Sequence, residues 1–536
     1  MRSEATLILR NGRVFTVNGK QPWAEAIAVR DDRIIRVGEN SEIDELCGEN
    51  TVVIDAKGRL VLPGFIDGHI HTSTAFQEVF WARLGDAESI EDVAAIVREH
   101  RDEHPEDIMV CGSGWVYDAV LSDGRFPKKE DMDRIVSDKP LLVVSYDGWV
   151  GLGNSMFTEL AVESFKGGPS ELGGMERDPG TNEPTGVFHN PGDLIYLAGG
   201  LSSKIREKEL EGLRWVFRQL PKYGITGVHD AQSDFKTLDE YSRLRDEGGL
   251  LVRTYIAYNY DKNTTEEDLR KVADMAENSS DEWVRLGVVK LFIDGVLDSH
   301  TAAMLEPYSD DPSTNGKTLY TPDQFNDIVT TLDGMGFQCM THSCGDRGAR
   351  IVLDAYEHAA DRNAPRERRH RIEHIEMVSD ADMPRFRELG VIASMQPIHA
   401  VLGLDTTLER AAGPERMSKS FPWRSIDEAG AVLAFSSDWS VADMNPLAGI
   451  QAAVARDWGS GASQAVSLEK AIEAYTLNGA YASFEEKVKG SIEEDKLADF
   501  IVLSENLFEM DPKRIGEAGV VMTVVGGREI YRSELF

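Results

Sequence analysis

Val61-Leu62-Pro63-Gly64-Phe65-Ile66-Asp67-Gly68-His69-Ile70-His71 joins a short apolar run to two histidines spaced two apart. The apolar residues from Val61 to Ile66 read as a buried strand. Side chains at i and i+2 of a strand leave the same face. Both imidazoles therefore aim at one point at the strand's C-terminal end. Neutral imidazole is the commonest protein ligand of divalent metals. An HxH pair alone is a weak signal and is open to being incidental. A metal reading requires further ligands at the ends of later strands.

Working outward, strand and helix patterns alternate. Apolar runs at 225–230, 252–258, 288–293, 338–342, 370–375, 391–396 and 432–437, with 62–66, make eight expected strands. Helical stretches at 205–223, 266–277, 322–335, 347–360 and 380–389 separate several of them. Eight such units predict an α/β fold, a (β/α)8 TIM barrel. One interval is far longer than the rest, about 150 residues between the first two strands. It carries its own strands at 109–112 and 141–145 and Gly/Pro-rich turns. Residues 75–202 are thus expected to form an inserted domain in the first βα loop. Barrel active sites lie at that face, so the insert is expected to be a lid or substrate wall. Both ends of the chain read as antiparallel β structure, with hairpin signals at RNGR and RDDR. Residues 1–60 and 487–536 predict one small β-sandwich built from both termini, with the barrel spanning 61–74 and 203–486.

The chain has 536 residues, enough for a large core. Its 92 acidic against 57 basic residues give a net charge of −35. Such a field excludes nucleic acid and anionic membranes as partners. Ordinary bacterial acidity and a halophile-type surface both remain open. No run of about 18 apolar residues spans a membrane. The N-terminal segment has no apolar signal core, so a cytoplasmic protein is expected. Cys47, Cys111, Cys339 and Cys344 are scattered without CxxC spacing, which argues against disulfides and a cysteine zinc site.

Polar residues punctuate the strand ends. His69 and His71 end the first strand and Lys290 lies in the fourth. His342, His374 and Asp438 lie at the ends of the fifth, sixth and eighth. Buried without partners, each would cost several kcal/mol; a metal centre would satisfy most of them. Each alone has a structural alternative. Lys290 can snorkel to solvent, His342 and His374 can be hydrogen-bonded core histidines, and Asp438 can cap a helix. Six such residues on one barrel face favour a shared partner.

PGFIDGHIHT, VVKLFIDG, HSCGDRG, RHRIEHIEM, FSSDW, GSIEEDKLADFIVL and the late VVGG together resemble the amidohydrolase superfamily. More narrowly they resemble its amidohydrolase-3 branch, which includes N-substituted formamide deformylases. The resemblance covers nearly the whole chain. It implies a divalent metal, zinc by expectation, at one or two per chain. His69 and His71 would bind one ion and His342 and His374 a second. A CO2-derived carbamate on Lys290 would bridge them, and Asp438 would be ligand and base. A bare ammonium offers no lone pair to a metal; a carbamate does. The implied reaction is hydrolysis of an amide, formamide or carbamate C–N bond by a metal-bound hydroxide, with Asp438 moving the proton to the leaving nitrogen. A superfamily deaminase acting on aminoheterocycles is the alternative, against which Lys290 argues. A non-catalytic scaffold on the same fold is the other, against which the full ligand set argues.

The chain departs from the family pattern at three places. Trp149 follows Asp147-Gly148 where relatives often have histidine. His300 stands where arginine is common, and Asn190 where an acidic residue is usual. These positions concern substrate, so the family's substrates do not transfer. Trp115, Tyr117, Trp149 and Trp439 are candidates for an aromatic pocket or for ordinary core. His229 and Asp230, ending the second strand, are candidates for the metal surroundings or for structure. A small-molecule substrate is the expected partner; a homodimer is left open.

Overall fold

A computed structural model describes residues 4–121, 125–164, 174–189, 194, 205–402, 407–456 and 464–536. Its centre is an eight-stranded sheet whose neighbours follow chain order. The strands are β1 (Phe65–Ile70), β2 (Ile225–Ser233), β3 (Arg253–Asn259), β4 (Val284–Phe292), β5 (Gln338–Ser343), β6 (Arg371–His374), β7 (Ile392–Met395) and β8 (Leu433–Phe435). Every adjacent pair is parallel. The seam between β8 and β1 closes just beyond the strands. There the Asp438 amide donates to the His69 carbonyl at 2.8 Å, and the His71 amide to that of Trp439 at 2.6 Å. The sheet is thus a nearly closed TIM barrel, as the alternating pattern predicts.

Helices Phe235–Asp246, Glu266–Asn278, Pro322–Gly334 and Asp346–Arg362 lie between successive strands. Their starts are chemically marked. Thr265 with Asp268, and Thr321 with Gln324, form reciprocal capping boxes. The helix expected at 380–389 begins only at Met383, after Asp382 and with Pro384 in its first turn. It ends at Gly390, whose φ is 64°.

The first strand differs from its expected limits. The apolar run divides at Gly64. Leu60–Pro63 pairs antiparallel with Phe500–Leu503 and parallel with Arg13–Phe15, in a sheet outside the barrel. Only Phe65–Ile70 enters the barrel. A Cβ on Gly64 would lie 2.2 Å from the Thr226 side chain, so β2 approaches the backbone where the chain changes sheets. Both halves are buried, so hydropathy continues across the break and cannot show it.

The outer sheet has the order Arg528–Arg532, Val520–Val525, Phe500–Leu503, Leu60–Pro63, Arg13–Phe15, Trp23–Ala24 and so draws on both ends of the chain. A four-stranded N-terminal sheet shares a core with it through Leu9, Ile27, Val61, Phe500 and Val524. A bidentate, buried Arg253–Asp499 pair ties β3 to this unit.

Between β1 and β2 lies a six-stranded mixed sheet, ordered Met175–Arg177, Pro184–His189, Val150–Gly153, Leu141–Ser145, Val110–Trp115, Ala82–Arg83. It has its own apolar core around Val97, Trp115, Leu141 and Val187. Asn190 lies outside the described residues, as does much of the Gly/Pro-rich stretch. No helix among the described residues is long and apolar enough to cross a membrane.

Candidate metal centre

At the C-terminal ends of the barrel strands, side chains from β1, β4, β5, β6 and the segment after β8 meet around one point. Asp438 stands at the centre. Its Oδ1 lies 3.0 Å from His71 Nε2 and 3.3 Å from His69 Nε2. Its Oδ2 lies 3.7 Å from both His374 Nδ1 and His399 Nε2. Lys290 Nζ is 3.2 Å from His69 Nε2 and is fully buried. The His342 ring packs edge-on against His374 at 4.5 Å.

Hydrogen-bond partners fix which imidazole nitrogens keep a lone pair. His69 Nδ1 donates to Glu373 Oε2 at 2.6 Å, leaving Nε2 facing Asp438 and Lys290. His374 Nδ1 donates to Gln396 Oε1 at 2.9 Å, which leaves its Nε2. His342 Nε2 donates to the Gly295 carbonyl at 3.0 Å, leaving Nδ1. Burial holds these rings neutral. It pushes His69 and His374 well below the ordinary histidine value, helped by the charge on Lys290 and by neighbouring rings. It pushes His342 down to about 3. Burial also lowers Lys290, to about 8. Burial alone would raise Asp438, but the facing His71 ring outweighs it and holds the carboxyl well below the usual carboxylate range.

The donor set fits a metal on structural grounds. His69, His374 and Asp438 offer ligand atoms all within 4.8 Å of one another, and all three are buried. Asp438 Oδ1, despite two imidazole nitrogens within 3.3 Å, has no aligned hydrogen-bond donor. His399 Nε2 is likewise buried without a partner. Lone pairs that face one another with no proton between them need a cation.

The local backbone explains how these groups converge. Alternation along a strand would send Glu373 and His374 to opposite faces. Here His374 has φ 72° and Ile375 φ 51°. The left-handed turn keeps both side chains on the inner side. Asp438 also has a positive φ, 58°. Such conformations cost about 1–3 kcal/mol each and persist where the surroundings fix them. Asp67 provides part of that fixing. Its carboxylate accepts the Ser437 amide at 3.0 Å and hydroxyl at 2.5 Å, and the His69 amide at 3.3 Å. It ties β1 to the segment carrying Asp438. Burial raises Asp67 to about 7.

Beneath the histidines a second polar layer fills the barrel. Arg371 donates to Glu373 at 2.9 and 3.1 Å, to the Gly68 carbonyl at 2.6 Å and to Ser394 at 2.8 Å. It also donates to His229 Nδ1, at 2.8 Å. Glu373 thus links a fixed cation to His69, a carboxylate–histidine pair of the kind that orients metal-binding rings. The sequence reading missed Arg371, Glu373, Asp67 and His399. HRIEH shows Arg371 and Glu373 at strand spacing, a signal for an inward polar pair.

Other expected site residues fall in different places. Trp149 lines the cavity above the centre, its ring 5.6 Å from that of His342. Trp115 does not reach it; it is wholly buried in the insert's core, against Tyr117 and Phe126. Tyr117 is buried there too, its hydroxyl donating to Asp147 at 3.0 Å. Trp439 stacks on Trp215. His229 sits in the Arg371 layer below the cavity. Asp230 turns away to accept from Thr72 and Tyr241. His300 pairs with Asp310 at 2.8 Å against Tyr308, outside the cavity lining. The cavity measures about 490 Å³ and is walled by the insert on one side and barrel loops on the other.

A family model described as "Amidohydrolase family" matches residues 52–531. The chain belongs to that family. The amidohydrolase is 30% identical to Protein LONG AFTER FAR-RED 3 of Arabidopsis thaliana, over 98% of this chain and 92% of the relative. It is 26% identical to an N-substituted formamide deformylase of Arthrobacter pascens, over 97% of each. Its fold matches an uncharacterized metal-dependent hydrolase from Pyrococcus furiosus with a TM-score of 0.70 and 25% identity, covering 95% of this amidohydrolase and 99% of that chain.

Proposed function

We propose that this amidohydrolase cleaves the C–N bond of an amide, formamide or carbamate, with one or two divalent ions, zinc by preference, as its cofactor. The observation that carries the reading is the set of imidazoles gathered around an ionised, buried Asp438 in the lining of one cavity. His69, His71 and Asp438 would hold one ion, and His342 and His374 a second. A divalent ion bound there would polarise a carbonyl and bring a bound water's pKa near neutrality.

The chain's own groups supply the rest. Asp438 is ionised and central, so it can take a proton from water and hand it to the leaving nitrogen. Glu373, held by Arg371, keeps the His69 proton on Nδ1 and its lone pair on Nε2. Lys290, lowered to about 8, has a substantial neutral-amine fraction near neutral pH. A neutral amine adds to CO2, forming an N–C bond and releasing one proton. The resulting carbamate would offer oxygen lone pairs to a divalent ion, which the ammonium cannot. Trp149 lines the cavity beside His342, where its ring can pack against the substrate. Similarity to a formamide deformylase supports the C–N class.

The test is turnover by metal-replete protein on a panel of amides, formamides, carbamates and aminoheterocycles. Hydrolysis confined to the first three classes, and abolished by chelation, is the expected result. Deamination alone, or no turnover with metal bound, contradicts the reading.

A further inference from the structure

Part of the cavity wall beside the metal centre is acidic. Asp147 from the insert, Asp298 from the loop after β4, and Glu376 after β6 all line it. Three unrelated parts of the chain thus bring carboxyl groups to one space. Their placement is built. Asp147 is anchored by Ser145, by the Tyr117 hydroxyl at 3.0 Å and by the Trp149 amide at 3.0 Å. The loop carrying Asp298 is pinned by Asp294, which accepts the amides of Ala303, Cys344 and Gly345 at 2.8, 3.1 and 3.0 Å. Glu376 is only 9% exposed, and its Oε2 is buried with no hydrogen-bond partner.

Among the described residues of the lining, the only lysine besides Lys290 is Lys262, which is exposed. The chain's surface acidity does not account for this arrangement, because salt screens exposed charges far better than enclosed ones. Buried carboxyl groups crowded together are costly to ionise unless something positive completes them. We propose that this wall is the subsite for a cationic group on the substrate, a guanidinium or ammonium held by Asp298, Asp147 and Glu376. Resting on the hydrolase reading, this makes the substrate an N-acyl or N-formyl derivative of a diamine or amino-guanidine. The charged end would lie at the acidic wall and the carbonyl at the metal centre. Asp298, raised to about 7 by burial and by Asp147, is a group that an incoming cation would ionise fully.

Binding tests this without turnover. Isothermal titration calorimetry of the metal-replete protein would compare butylguanidinium with its neutral isostere butylurea and with butyrate. Protonated guanidinium offers no lone pair to a metal, so binding reports the carboxylates. Butylguanidinium should bind about tenfold or more tightly than butylurea. Asp298→Asn should remove most of that margin and leave butylurea binding and metal content unchanged. Asp147→Asn, at a separate anchor, supplies the second variant if the first misfolds. Equal affinity for the guanidinium and the urea overturns the proposal. So does displacement of butylguanidinium by excess zinc with uptake of an additional metal, which would make the wall a metal site. Guanidinium binding without turnover of any acyl derivative supports the subsite and overturns the hydrolase reading alone.

Discussion

Asp499 and Asp438 are both buried aspartates tied to the barrel, one near the start of β3 and one beyond the end of β8. Around Asp499 every acceptor is matched. Arg253 donates to both oxygens at 2.8 and 3.2 Å, the Gly526 amide adds a bond at 2.7 Å, and Trp283 covers the guanidinium. Around Asp438 the neighbours are imidazoles, and Oδ1 has no aligned donor. The closed cluster holds the terminal sheets to the barrel. The open one has the residue types of an ion site and leaves its charge free for a ligand. A buried ion pair with complete hydrogen bonding is structure; one with lone pairs facing each other is a binding site.

The same substitution at the two aspartates should therefore have opposite consequences. Asp438→Asn keeps shape and weak coordination but cannot accept a proton. Its kcat should fall by roughly 10²–10⁴, with folding and at least one metal retained. Asp499→Asn breaks a buried ion pair and should destabilise folding by about 3–5 kcal/mol, with kcat per folded molecule unchanged. Denaturant titration and steady-state kinetics on both variants would show it. A near-normal kcat for Asp438→Asn would remove that residue from the mechanism.

Lys290→Ala comes next. It should lose the second metal and about 100-fold or more in kcat, the worth of several kcal/mol of charge stabilisation. Short carboxylic acids should restore part of it. The pH dependence follows from the lowered lysine. Only neutral amine adds to CO2, and that fraction rises through about pH 8. Reactivation of metal-stripped wild type by zinc at a fixed concentration of dissolved CO2 should be faster at about pH 8.5 than at about 6.5. A rate independent of pH would count against the carbamate.

Glu373→Gln leaves an acceptor but no charge beside His69 Nδ1. Metal affinity should drop by about 10–100-fold, the usual effect of removing such a partner, with the barrel folded. Competition against a chelator measures it; unchanged affinity would make Glu373 purely a partner for Arg371. The smallest effect belongs to the wall. Trp149→His should shift the ratio of kcat/KM between two substrates by about tenfold at constant metal content. An unaltered ratio would exclude Trp149 from substrate selection.

The contrast between the two aspartates also marks how much the chain's letters disclose. Strand-end residues were legible because HxH, the strand lysine and the later His, His and Asp interrupt apolar runs at points that barrel topology maps to one face. The structure brings His69, His71, Lys290, His342, His374 and Asp438 together there. Glu373 was hidden because strand alternation puts it opposite His374, and only the left-handed backbone at His374 lets both point inward. The break at Gly64 was hidden because both flanking strands are buried. Trp115 and Trp149 look alike in sequence; one fills the insert's core and the other faces the cavity, and that choice depends on sheet packing. His300 and Asp230 are polar residues in plausible places whose partners, Asp310 and Tyr241, come from tertiary folding.

Metal content is the most direct test of the open cluster. Protein purified without chelators would be analysed for transition metals, alongside a His69→Ala, His71→Ala double variant. The wild type should carry at least about one equivalent of a divalent ion, zinc above others, and the double variant should carry markedly less while folded. Less than about half an equivalent in the wild type, with no uptake and no activity on adding zinc, would contradict the account.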